Sequence, residues 1–80
     1  MRVKFPKGSE EWLMFVEYWE ICQDFWQVDD TEEYWDGLMK KVNAFYEKYK
    51  GIHLAEKMAM ALIESQEIKA REIREKNNLY

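Results

Sequence analysis

The chain has little of what small proteins commonly use to brace themselves or to do chemistry. It has one cysteine, Cys22, in 80 residues, so no internal disulfide can form. It has a single histidine, His53, one proline and three glycines, and no Gly-rich loop that could cradle a phosphate. No uninterrupted apolar run approaches the ~20 residues that cross a bilayer. The basic start MRVKFPKG lacks the apolar core of a secretion signal. From Ser9 to Met39 there is no Lys or Arg at all. These scarcities argue against a disulfide scaffold, a phosphate-loop enzyme and a membrane span, and predict a cytoplasmic protein.

What the chain does have is aromatic: four Trp, five Tyr and four Phe. Eighty residues make at most one domain, and one that buries a modest share of its surface. A core rich in large side chains, or oligomerisation, is the expected compensation. The net charge of −4 is unevenly spread. Ten acids fill the base-free stretch: Glu10, Glu11, Glu17, Glu20, Asp24, Asp29, Asp30, Glu32, Glu33 and Asp36. An acidic surface repels phosphate backbones, so direct nucleic-acid binding is not expected. A basic protein surface is the complementary partner.

Periodicity predicts an all-α fold, a compact three-helix bundle with helices over approximately 9–27, 31–50 and 53–76. Ser9 is the N-cap of the first, with Glu10 and Glu11 in its positive first turn. Trp12, Phe15, Trp19, Cys22 and Trp26 step 3-4-3-4 along it, and seven residues slip only ~20°. The three indoles therefore form one ridge, expected to pack into the other two helices. Tyr18, Phe25, Met14 and Ile21 widen the apolar arc to roughly half the circumference, more than two neighbours need. Part of the arc is then free for a second chain or a ligand.

Asp30 is expected to cap the second helix with Glu33 at the third helical position. Trp35, Leu38, Val42, Phe45 and Tyr49 form its core stripe, and Gly51 stops it. Gly37 and Ala44 lie seven apart and predict a small-residue seam for another helix. Leu54, Met58, Ala61, Leu62 and Ser65 are the expected core stripe of the third helix, with Ala55, Ala59 and Ile63 beside it. After Ser65 the stripe fails, since Lys69 and Glu72 occupy its continuation. The organisation predicted is a basic arm over 1–8, a core over 9–66, and a charged helical tail over 67–80 that frays near Asn77 and Asn78.

The chemical candidates are few. Cys22 has no cationic neighbour in its segment to activate a thiolate and is expected to fill the core. His53 and Glu56 could offer two metal ligands, but a site needs three or four. No triad or paired-carboxylate site stands out, so no enzyme, cofactor or metal is expected. The best functional signal is the acidic stretch. Glu10, Glu17, Glu20, Asp24, Asp29, Asp30 and Glu33, with Tyr34 and Trp35 as anchors, form the expected site for a basic protein partner, because interface hot spots favour Trp and Tyr. A homodimer built through the aromatic face or the third helix is the alternative. A small-molecule or metal binder using the aromatic core and His53 is the third.

The pattern Trp12, Phe15, Trp19, Cys22, Trp26, followed by DDTEEYW (29–35), FYEKYKG (45–51) and AEKMAMALIE (55–64), resembles small helical proteins encoded in prophages and mobile elements of Gram-positive gut bacteria. It spans roughly residues 10–70 and carries no catalytic signature. The resemblance implies an interaction protein. By analogy with acidic phage inhibitors that occupy a nucleic-acid groove, the implied partner is a basic, nucleic-acid-binding host protein.

Overall fold

The computed structural model describes residues 1–77. Three helices account for the architecture: α1 (Glu10–Asp24), α2 (Glu32–Tyr49) and α3 (His53–Asn77). There is no strand among the described residues. The fold is all-α with a long C-terminal helix, as the periodicity predicts. α3 is continuous through Asn77, and the expected fraying at Asn78 lies outside the described residues. Short connections make the path up, down and up, so α1 and α3 run parallel with α2 against both. The molecule measures 53 × 26 × 18 Å with a radius of gyration of 15.0 Å. A globular chain of this length would have about 12 Å.

The ends of the helices follow from local chemistry. Ser9 caps α1, its Oγ accepting from the Trp12 amide at 3.3 Å. Before it, the chain turns at Gly8, whose φ of 87° suits a residue without Cβ. That turn carries the arm back so that Phe5 stacks on Phe15 at 5.8 Å. Thr31, not Asp30, caps α2, accepting from the Tyr34 amide at 3.2 Å. Asp30 is one residue too early for the cap. Its Oδ1 instead accepts from the Trp35 indole at 2.8 Å, and its Oδ2 lies 3.2 Å from Arg74.

The core is smaller and less aromatic than the ridge suggested. Leu38, Val42, Phe45 and Tyr49 of α2 are buried as expected. On α1 the buried residues are Met14 and Ile21, flanked by half-buried Tyr18 and Phe25. The tryptophan ridge does not enter the core: Trp19 is 63% and Trp26 59% exposed. On α3 the buried line is Ala55, Ala59, Leu62, Gln66 and Ala70. Leu54 and Ala61, expected inside, are exposed. Leu62 is buried as expected, and otherwise the core of both helices takes the stripe next to the expected one. Alanines on α3 let the helices approach closely, and bulkier neighbours are turned outward.

Gln66 explains why burial continues past residue 65. It is fully buried, and its amide nitrogen donates to the carbonyls of Phe25 at 2.6 Å and Trp26 at 3.2 Å. The Tyr34 hydroxyl also donates to the Phe25 carbonyl, at 2.7 Å. Lys69 reaches the Trp26 carbonyl at 3.3 Å. The end of α1 has no glycine stop, so these donors satisfy carbonyls that would otherwise be orphaned. Gln66 Oε1 has no partner of its own.

Two outcomes test this account. Gln66→Leu removes the donor and costs about 1–3 kcal/mol in urea denaturation. Gln66→Glu sets a carboxylate against two carbonyls and costs more; wild-type stability for both would refute the tie. Gly37 faces the Phe25 ring, and a Cβ there would meet it at 3.4 and 3.6 Å, which is ordinary contact. Gly37→Ala is therefore expected to raise stability by about 0.5–1 kcal/mol through helix propensity, and a loss would show that the seam has no spare room.

Candidate functional site

The acidic residues do not form one free surface. Glu17 is paired with Lys48 at 2.6 Å. Glu20 and Asp24 line the same α1/α2 groove, and Lys41 and Lys48 line it with them. The α2 lysines thus bring positive charge to the acidic flank of α1. Burial pushes the Glu17 carboxyl up, but the Lys48 ammonium and the Tyr49 hydroxyl outweigh it and hold the group below its ordinary value. The Tyr49 hydroxyl has no hydrogen bond of acceptable geometry, so Lys48 is the partner that matters.

At the other end of the molecule, Asp30 is occupied by Trp35 and Arg74. Tyr34 is half-buried and bonded to the end of α1, which makes it a structural residue first. Trp35 is half-buried against it, edge-on at 5.0 Å. Glu10, Asp29 and Glu33 remain exposed, at the first turn of α1, the α1–α2 connection and the first turn of α2. Of the nine residues expected to bind a partner, Glu17, Glu20 and Asp24 come together beside α2. Asp30, Tyr34 and Trp35 form a second group, and the other three stand apart.

A different surface is the most unusual on the molecule. At 100° per residue, Cys22, Phe15, Trp19, Trp12, Gln23 and Val16 sweep an arc of about 120° on the outside of α1, and Trp26 follows just past the end of the helix. No charged residue lies within it. Phe5, Trp12, Phe15, Val16, Tyr18, Trp19 and Cys22 line an open groove of about 700 Å³ along that arc. On its α3 side the apolar character runs only as far as Ile68, and beyond it Lys69, Glu72 and Lys76 border Trp26. Lys69 of α3 lies 3.5 Å above the Trp26 ring, which fixes the α1-facing flank of α3. The stripe Leu54, Met58, Ala61, Ser65 and Ile68 lies on that flank and just outside it. The outward part of the expected α1 ridge and the outward members of the expected α3 stripe, Leu54 and Ala61, therefore share one face, with Ile68 added, while Leu62 of that stripe is in the core.

That face is large. With large side chains near 200 Å² each, the exposed fractions of Phe5, Phe15, Trp19, Trp26, Leu54 and Ile68, between 41% and 63%, leave roughly 600 Å² uncovered. Such a patch is at the upper end of what monomers expose. The whole molecule exposes 6472 Å². A folded monomer of its 9.8 kDa would show about 5,200 Å².

The face offers binding and little chemistry. Burial raises the Cys22 thiol above its ordinary value, against weaker pulls from Tyr18 and Lys69. The thiol is therefore a poor nucleophile at neutral pH. Among the described residues, no group of three or more His, Cys, Asp or Glu could hold a metal ion. None of the helices is long and apolar enough to cross a membrane. The extent of the face was beyond sequence reasoning, because the contribution of Phe5 depends on the Gly8 turn and that of Leu54 and Ile68 on the rotation of α3. The one available signal was an apolar arc wider than two neighbours need.

The Glu17–Lys48 pair predicts a pH dependence. Glu17 ionises more easily in the folded chain, so its contribution is present above the carboxylate range and lost as pH falls through its lowered value. Lys48→Met is expected to lower the melting temperature slightly at neutral pH, and the gap from wild type should close in acid. A gap that persists at pH 2–3 would assign the loss to packing instead. Comparison with protein-family models, with curated proteins and with solved structures finds no match to this chain.

Proposed function

We propose that this chain is a protein-interaction module that docks through the apolar face shared by α1 and α3. The observation that carries this reading is the uncharged arc of α1, with Trp19 and Trp26 about three-fifths exposed. Solvated helix faces carry charge, whereas the centre of an interface is depleted of charge and rich in Trp, Tyr and Phe. The acids at the edge of the arc suit the polar rim of such an interface. No catalytic role is assigned to any residue.

A second reading is favoured by the exposure of Glu10, Glu20 and Asp24 in a segment without bases. These carboxylates would engage a basic, nucleic-acid-binding protein of the kind the prophage resemblance implies. Internal pairing of Glu17 and Asp30 leaves this acidic edge weaker than the aromatic face.

A photo-crosslinking residue at position 19 is expected to capture a protein partner in cells, whether a second protein or another copy. The same residue at Lys40, on the outward side of α2, should capture none. Equal silence at both positions would reject the docking face. Trp19→Ser at low micromolar concentration should change stability by less than about 0.5 kcal/mol, whereas Leu38→Ala should cost about 2–5 kcal/mol. A comparable loss for Trp19→Ser would make the indole a core residue.

A further inference from the structure

The two outer stripes are in step along the molecule. Hydrogen bonds join α3 side chains to main-chain carbonyls 40, 41 and 43 positions earlier, at the end of α1. An offset of about 42 in two parallel helices puts Trp12 at the height of Leu54 and Trp19 at the height of Ala61. The largest residue on the face thus shares its level with the smallest.

We infer that this face is covered by a second copy of the chain, through a twofold axis running parallel to α1 and α3. The inference rests on the docking face proposed above and names its occupant. Such an operation keeps heights and exchanges the two helices, so α1 of each protomer lies over α3 of its partner. Trp19 then stands over the partner subunit's Ala61, which gives a knob and a space for it twice per dimer. The two apolar layers make a four-helix arrangement, a common way to close helical surfaces.

Area agrees with this occupant, and charge selects between its two possible arrangements. α1 has five carboxylates and no base. The outer edge of α3 carries Lys57, Glu64, Arg71 and Glu75, two bases and two acids. Laying α1 over the partner's α3 sets its carboxylates against an edge of balanced charge, while laying α1 over α1 would bring carboxylates together. The uncharged centre selects a partner by shape and apolar area. Roughly 600 Å² of apolar surface per protomer, with the polar rim added, approaches the ~800 Å² that a standard interface buries on each side.

The test is sedimentation of the full chain from about 1 to 500 μM, with folding checked by circular dichroism. The wild type is expected to pass from 9.8 kDa towards twice that mass. Ala61→Trp, at an exposed position, should weaken association by about tenfold or more. Combining it with Trp19→Ala should recover much of the loss, because knob and space are exchanged. Should Ala61→Trp misfold, Ile68→Glu, at a half-exposed position, serves as the disrupting variant. A wild type that stays monomeric at 500 μM overturns the inference, as does a dimer indifferent to these substitutions. A monomer whose position 19 still crosslinks a different protein rejects the second copy and leaves the docking face standing. A monomer that crosslinks nothing rejects both.

Discussion

The arrangement of the bundle depends on how α1 ends. A helix that stops without a glycine leaves carbonyls that need donors, and buried carbonyls without donors are costly. Gln66 supplies the donor from α3 and Tyr34 from α2, both to the Phe25 carbonyl. One atom thus ties all three helices at one level. An apolar core has no such directionality, since its attraction varies little with rotation of a helix. The amide fixes α3 in height and rotation against α1, and the positions of Ala70, Lys69 and Arg74 follow. The lone Gln66 Oε1 is the cost of placing the donor there.

That tie accounts for what the sequence could and could not reveal. α2 has one strong stripe and packs on both neighbours, so Leu38, Val42, Phe45 and Tyr49 could be read directly. α1 and α3 each carry two apolar stripes side by side. Periodicity locates stripes but does not say which one faces inward, and aromatic size pointed to the wrong one. Lys69 and Glu72 occupy the continuation of the expected α3 stripe, so that stripe ended at Ser65, and the buried line through Gln66 and Ala70 beside it was not read. Thr31 and Asp30 are both good caps, and only the geometry of the connection separates them. The face shared by α1 and α3 was legible as surplus apolar width, while its location was not.

The acidic stretch teaches a related lesson. A run of ten acids looks like a single charged surface in one dimension. In three dimensions, antiparallel packing brings Lys41 and Lys48 to the flank of α1, and Arg74 reaches back to Asp30. Charge segregation along the chain is partly undone by the fold. Aromatic segregation is reinforced by it, because the parallel run of α1 and α3 merges two stripes into one.

The exposed aromatic face also shapes the thermodynamics of the chain by itself. The heat capacity of unfolding comes mainly from apolar surface newly wetted. Here a large part of that surface is wet before unfolding begins. The isolated protomer should therefore have a small heat-capacity increment for its length, and a stability curve that is broad and flat rather than steeply domed. The missing heat capacity is deferred to whatever covers the face, so association carries the negative heat-capacity change that folding of this chain left undone.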